Sequence, residues 1–580
     1  MSLRFDLNEG LEEKLQSLED LTWNVKQIQD EMVADILTVN ANTEYLHRFL
    51  HGKFDKEHFK KNIPIVTYKD VQPYIERIAN GEPSDVISAQ PITGFTRSSG
   101  TSGGKQKLLP LNMNFLENIK FLRNICAFVI CRHIDGAEQG KVMKFAFIKP
   151  ESTTPSGLLV GAASTYFYKS DHFRNQTSNF DFACTSPTEI VLCRDNKQSM
   201  YCHLLCGLVQ REEVVSVSAA FASTLVRAIN FLEEYWKELC SNIRMAQVSE
   251  WIEDTSCRNC VSEILGEPNP ELANLIEQEC NQISWGGIIS RLWPNTKFVE
   301  CIVTGQMTQY ISTLEFYSKE LPIVSMNYLA SEAVFGMNMN PLCKPQDVSY
   351  TFIPNMAYFE FLLVDEVNEL KIVDLVDVKL GCYYETLVTS YAGLYRYRVG
   401  DILQVTGFYN NAPQFRFVRR KDVALSIDVE TTTEEELLKA VTHARMVLES
   451  SDLMLTDFTC YADISTKPGH YVIYWELKAK NKNKILELDD KLLTECCYKV
   501  EENLGIRYRK LRSKEGSIGA LEIRVVQPGT FDSVMNFFIS QGASFVQYKT
   551  PVCLKSSDAL ANLESNVLTR YFSDKPPPPL

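Results

Sequence analysis

At 580 residues the chain exceeds what one ordinary hydrophobic core accommodates, so two domains are expected. A formal charge of -14 removes the Lys and Arg excess that phosphate-backbone binding needs and excludes a nucleic-acid partner, while 45% hydrophobic and 23% charged residues suit a soluble globular protein. No run approaches the ~20 apolar residues of a membrane helix; the nearest, Phe115 to Ile130, carries Glu117, Lys120 and Arg123, so no membrane partner is expected. The opening residues lack the apolar run of a secretory signal. Seventeen cysteines in such a chain read as reduced structural thiols of a cytoplasmic protein, here taken as a monomer. Cys257 and Cys260 form CRNC, but no second such pair or nearby histidine completes a zinc site.

In chain order, LEEKLQSLEDLTWNVKQIQDEMVADILTVN repeats apolar positions at three- and four-residue spacing, which predicts helix. Near Gly94 the texture turns to Ser, Thr and Gly, which reads as a turn region, and Asn114 to His133 reads as helix. VMKFAFI, Val142 to Ile148, is short, apolar and aromatic, which predicts a buried strand. WGGIISRLWPNTKFVECIVTG predicts a helix, then a strand entering a glycine turn at Gly305. From Tyr350 to Val418, stretches such as TLVTSYAGLYRYRVGDILQVTGF alternate between Gly turns, as in an antiparallel sheet or barrel. Four consecutive charges, Arg419 to Asp422, then precede a Thr-rich helix start with Glu in its first turn. HYVIYWEL and ALEIRVVQPGTF read as strands, and DSVMNFFISQG as a helix ending at Gly542. The expected architecture is a large N-terminal α/β body over 1–420 with a β-barrel-like portion, a hinge at 421–428, and a small mobile α+β lid over 429–580.

The stretch FTRSSGTSGGKQKLLP, Phe95 to Pro110, gathers glycines, hydroxyls and two lysines. Backbone amides in such a loop can converge on phosphate oxygens, with Ser and Thr hydroxyls adding donors. It is not the usual ATPase loop: Gly100 to Lys105 is one residue short of that pattern, and Gln106 stands where a magnesium hydroxyl is needed. Taken alone, such a stretch is more often an ordinary turn than a phosphate site.

SSGTSGGKQK nevertheless resembles the phosphate loop of the acyl-adenylate-forming superfamily, and in its detail that of the plant acyl acid amido synthetases, the auxin-inducible Gretchen Hagen family. YLASE, Tyr328 to Glu332, is similar to the family's Tyr-x-Ser-Ser-Glu, with Ala330 in place of the usual Ser. YRYRVGD, Tyr395 to Asp401, is similar to its Tyr-Arg-x-Gly-Asp, and VTGQMTQY, Val303 to Tyr310, to its Val-Thr-Gly wall beside the nucleotide. Together these stretches spread the resemblance over essentially the whole chain.

The resemblance implies an enzyme that uses ATP and Mg2+ to adenylate a small carboxylic acid and passes the acyl group to an amino acid. Nucleotide contacts fall to Ser98, Ser99, Gly100, Thr101, Ser102, Gly103 and Gly104 of the loop, with Thr304, Gly305, Tyr328 and Ser331. Asp401 would accept the ribose hydroxyls, and Glu332 would be the magnesium ligand. Lys107 and, within VQYKTP, Lys549 would offset the repulsion between two approaching anions. The family's Pro-Arg-Cys is Pro551, Val552 and Cys553 here. Lys149 matches a lysine placed around the amino-acid substrate. Arg123 would pair with the acid or cap its ring, and Leu205, Val209, Val217 and Phe221 would form apolar walls for a benzoate-like, chorismate-derived or other hormone-type acid. Each has a bland alternative: an exposed turn aspartate, a helix-start glutamate, solvated lysines and arginine, core packing. A coenzyme A ligase and an inactive ligand-binding homologue share the same loop and stay open.

Overall fold

A computed structural model describes residues 11–102, 105–174, 182–364, 371–421, 423–427, 430–449, 451–481, 487–543 and 548–579. The chain packs as two compact units, one of residues 1–141, 147–194 and 325–418, the other of 142–146, 195–324 and 419–580. The fold is mixed α/β, with a smaller α+β portion at the C-terminal end. Among the described residues no helix is long and apolar enough to cross a membrane, and the seventeen cysteines are all free thiols.

The first unit opens with the expected helices, Leu11–Trp23 and Val25–Val39, the latter burying Val25, Gln29, Val33, Ile36 and Leu37 on one face. The stretch after Gly94, expected as turn, is instead a strand pair, Gly94–Ser102 with Lys105–Leu111. Consecutive residues buried on both strands, Phe95 and Thr96 opposite Pro110 and Leu109, decide this, because tertiary burial overrides the turn preference of Ser and Gly. The helix Met113–His133 follows, started by Asn112, whose side chain accepts from the Phe115 amide, and ended by Arg132 and His133, which suit the negative pole of the helix. The strand-rich region forms an eight-stranded sheet in the order 327–329, 334–337, 350–352, 412–420, 397–409, 383–389, 358–363, 372–374. Every pairing whose register is described there is antiparallel. Phe335, Phe352, Phe359, Phe361 and Phe415 interlock on its buried face, with Phe361 and Phe415 stacked at 4.9 Å.

The second unit holds the strands Val214–Phe221, Phe298–Ile302 and Ile323–Val324, paired in parallel, with the long helix Ala222–Met245 packed on them. Thr304 and the turn Gly305–Tyr310 follow the strand Phe298–Ile302, as the sequence predicts. Toward the C-terminus a four-stranded sheet runs in the order Leu453–Asp463, His470–Ala479, Glu522–Val526, Val567–Phe572. Two apolar clusters flank it, one including Leu437, Ala444, Cys496 and Val500, the other Phe531, Val534, Ala559 and Leu563. The helix Glu434–Glu449 starts as expected: the Thr433 amide donates to Glu436 at 2.8 Å, and the Glu436 amide returns a bond to the Thr433 hydroxyl at 3.3 Å. Of the stretch expected as a hinge, Val423–Ile427 is a strand paired with Glu430–Thr433, and Asp422 and Asp428 lie outside the described residues.

His203, on the helix Asn196–Val209, is fully buried; its Nε2 donates to the Ala146 carbonyl at 2.8 Å, and its ring meets Phe145 edge-on. Burial lowers its pKa from 6.5 to about 4, the Ala146 bond opposing. Between those values the unfolded chain binds a proton there that the folded chain does not, so stability is full above the upper one and falls as pH drops through the window, by up to about 3 kcal/mol. Urea unfolding of His203→Gln is expected to lose that slope between pH 6.5 and 4; an unchanged slope refutes the assignment.

Candidate active site

In the first unit the strands Gly94–Ser102 and Lys105–Leu111 run antiparallel from Gly94 opposite Leu111 to Arg97 opposite Leu108. The register then jumps to Thr101 opposite Gln106, so Ser98, Ser99 and Gly100 together face Lys107 alone. Extra residues on one strand bend it away from its partner and free its amides from the ladder, as an anion-binding loop requires. Gly103 and Gly104, and the side chains of 98–106, lie outside the described residues. Lys107 is partly buried, with its ammonium 6.0 Å from the Tyr68 ring, and the Tyr68 hydroxyl accepts from the Leu108 amide at 3.0 Å.

A second hairpin, Asn327–Leu329 with Val334–Met337, is closed by the Ala330 amide donating to the Ala333 carbonyl at 3.0 Å. Ser331 and Glu332 sit at its tip, both partly buried. The Thr96 hydroxyl reaches the Ser331 carbonyl at 3.4 Å, which joins this tip to the strand carrying the Ser98–Gly100 bulge. Tyr328 is buried, its ring stacked on Phe335 at 4.6 Å and on Tyr350 at 5.6 Å. Its hydroxyl donates to Asp401 Oδ2 at 2.7 Å.

Asp401 owes its position to another irregularity. Glu385 faces Ile402 and Leu387 faces Arg398, so Val399, Gly400 and Asp401 share the single opposing residue Thr386. Gly400 takes φ 87°, and no atom lies within 4 Å of where its Cβ would be, so backbone conformation and not crowding calls for glycine here. Asp401 is 3% exposed, which excludes the exposed-turn alternative.

Arg123 lies partly buried on the helix Met113–His133, with its guanidinium 4.6 Å from the Phe167 ring. The Lys149 amide donates to the Thr165 hydroxyl at 2.9 Å. Thr165 and Phe167 belong to the short helix Ala163–Lys169, which thus receives both predicted substrate residues of this unit. The sequence reading did not single out either; the aromatic run TYFY, Thr165 to Tyr168, was the available signal.

In the second unit Leu205 and Val217 are fully buried in its core, and Val209 is partly buried at the end of the helix Asn196–Val209. Thr304 directly precedes the Gly305–Tyr310 turn. Phe221 ends the strand Val214–Phe221, and the Lys549 ammonium lies 4.4 Å above its ring, a favourable cation–π distance. Two predicted residues far apart in sequence are therefore partners in space.

The bulged hairpin, the Ser331–Glu332 tip and the buried Asp401 define a mixed α/β protein with a candidate nucleotide-binding site in its first unit. The GH3 family N-terminal domain matches residues 14–323, the central domain 350–420 and the C-terminal domain 435–558. The 4-substituted benzoates-glutamate ligase GH3.12 of Arabidopsis thaliana is 57% identical over 573 residues, covering 98% of this chain and 99% of its own. The indole-3-acetic acid-amido synthetase GH3.17 of the same plant is 52% identical over 587 residues, covering 97% and 96%. The solved structure of AtGH3.15 acyl acid amido synthetase in complex with 2,4-DB superposes with a TM-score of 0.93 at 52% identity and covers all of both chains. The chain belongs to the GH3 family.

Tyr328→Phe removes the phenolic donor from the buried Asp401 carboxylate while keeping the stacked ring. A loss of about 1–3 kcal/mol in urea-unfolding stability is expected; an unchanged midpoint would show that this bond contributes nothing.

Proposed function

We propose that the protein is an acyl acid amido synthetase that works in two steps through an acyl-adenylate. A carboxylate oxygen attacks the α-phosphorus of ATP, the bond to the β-phosphate oxygen breaks, and pyrophosphate leaves. The amine nitrogen of an amino acid then attacks the acyl carbon, the bond to the AMP oxygen breaks, and AMP leaves as the amide forms and the nitrogen sheds its proton. The observation that supports this best is the gathering, in one compact unit, of the Ser98–Lys107 hairpin, the Ser331–Glu332 tip and Asp401, stretches far apart in sequence.

In this scheme the amides and hydroxyls of Ser98 to Gly104 receive phosphate oxygens, and Lys107 and Lys549 contribute positive charge as the two anions approach. Asp401 accepts from the ribose hydroxyls, and Tyr328, Ser331, Thr304 and Gly305 complete the nucleotide contacts. Glu332 fits magnesium: it offers a hard carboxylate oxygen one residue from the Ser331 carbonyl that meets the loop strand. A bound Mg2+ would offset phosphate charge there. Arg123 serves the acid and Lys149 the amino-acid carboxylate. The benzoate-type acid and glutamate named for the 57%-identical relative are the first substrates to test, ahead of indole acids.

Pyrophosphate release is measured with ATP and Mg2+ against aryl, indole and cyclopentanone acids, each with single amino acids or coenzyme A. Release that needs an acid, with the amide formed only when one amino acid is present, is the expected result. Release answered only by coenzyme A would move the protein to the thioester-forming class, and none with any acid would leave a binding protein. Asp401→Ala is expected to weaken ATP binding roughly 10- to 100-fold by calorimetry; unchanged affinity would remove Asp401 from the nucleotide site.

A further inference from the structure

Within the second unit, a carboxylate that the reaction scheme does not use joins two stretches that it does. The strand Leu453–Asp463 pairs with His470–Ala479, but the register slips between Leu455, opposite Leu477, and Asp457, opposite Glu476. Thr456 is the extra residue, and such a bulge re-aims the next side chain. Asp457 Oδ2 accepts from the Thr550 hydroxyl at 2.9 Å and from the Tyr310 hydroxyl at 3.2 Å, while Oδ1 accepts from the Phe458 amide at 2.9 Å. Tyr310 closes the turn that begins at Gly305, and Thr550 follows Lys549 directly.

Other bonds fix the backbone on both sides of Lys549. Arg227, from the helix Ala222–Met245, donates to the Tyr548 carbonyl at 2.7 Å, with its guanidinium 5.7 Å from the Tyr548 ring. The Thr459 hydroxyl donates to the Pro551 carbonyl at 2.7 Å, the Cys460 amide to the Val552 carbonyl at 2.8 Å, and the Leu554 amide back to the Cys460 carbonyl at 2.9 Å. Residues 550–554 are thus clipped along the strand Leu453–Asp463, and Asp457 fastens the end of the clip nearest Lys549.

We infer that Asp457 is a positioning residue for adenylation: it ties the Lys549 segment to the Gly305–Tyr310 turn and holds the lysine ammonium where it acts. This rests on the assignment of Lys549 above. The ties hold the Tyr548 carbonyl and the Thr550 hydroxyl on either side of Lys549, and the lysine ammonium rests on the Phe221 ring. Burial raises the Asp457 carboxyl to about 7, against the Thr550 hydroxyl bond; Glu476 adds to the rise, and Arg227 and the Tyr310 hydroxyl oppose it. Tyr548, its own hydroxyl pushed upward by burial, also faces it among the described residues. A carboxyl perturbed this far is typical of functional positions.

The test compares Asp457→Asn, Thr550→Val, Lys549→Ala and the double variant Lys549→Ala with Asp457→Asn, all as full-length chains whose folding is checked by thermal melting. The readout is acid-dependent pyrophosphate release. Lys549→Ala is expected to lower kcat roughly 10²- to 10³-fold. Asp457→Asn is expected to lower it roughly 10- to 100-fold, as small misplacement of a reacting group does, with KM for ATP held within about twofold. Thr550→Val, which keeps the β-branched shape and removes one donor, is expected to move kcat the same way by a smaller factor. The double variant is expected to be no slower than Lys549→Ala alone, because Asp457 acts through the lysine. A merely structural defect would multiply the two losses, and that result overturns the proposal. So do wild-type rates in Asp457→Asn and Thr550→Val beside a crippled Lys549→Ala, a pattern that leaves the lysine's assignment standing. A fully active Lys549→Ala removes that assignment, and the clasp with it.

Discussion

Taking a carboxylate out of water costs several kcal/mol unless donors replace the lost solvent, and this requirement fixes much of the geometry in both units. Asp401 is buried and receives the Tyr328 hydroxyl. Glu360, 1% exposed, receives both arms of the Arg396 guanidinium at 2.9 Å, and Arg396 also donates to the carbonyls of Lys60 and Ile63. Asp457 receives two hydroxyls and an amide. In each case a donor comes from a distant stretch of chain, so satisfying the carboxylate also locates that stretch. Removing Arg396 would strand the buried Glu360 charge, and removing Glu360 the Arg396 charge, which makes that pair intolerant of change whatever its net contribution to stability.

Strand irregularities supply the aiming. A regular ladder alternates side chains above and below the sheet and occupies every amide, which suits neither a phosphate loop nor an inward-turned carboxylate. The structure departs from regularity at Ser98–Gly100, at Val399–Asp401 and at Thr456. The first sets three residues against one, the second turns Asp401 inward and the third turns Asp457 toward Tyr310 and Thr550.

Local chemistry made much of this legible in the sequence. The helix start at Thr433, the turn after Thr304 and the helix from Met113 were readable because caps, glycines and 3.6-residue spacing act over a few residues. SSGTSGGKQK, YLASE and YRYRVGD carried the family. The strand pair around Ser98 was not readable, since Ser, Thr and Gly favour turns and the burial of Phe95 and Leu109 that outweighs them is tertiary. The same holds for the grouping of 195–324 with 419–580 in one compact unit, which no composition shift announces. Phe167, Thr165 and Asp457 escaped notice because their roles lie in partners remote in sequence.

Arg123 shows how the two kinds of information combine. The sequence left open whether its guanidinium would pair with a carboxylate or cap a ring, and the structure places it 4.6 Å from the protein's own Phe167. Stacking uses the face of a guanidinium, whereas carboxylate recognition uses the donors at its edge, so the two are compatible on one side chain. An aromatic ring behind the guanidinium also restricts the rotamers of a long side chain before any ligand arrives, which lowers the ordering cost of binding. With the Lys149 amide anchored on Thr165 and the Arg123 guanidinium on Phe167, displacement of Ala163–Lys169 would move the supports of both residues together.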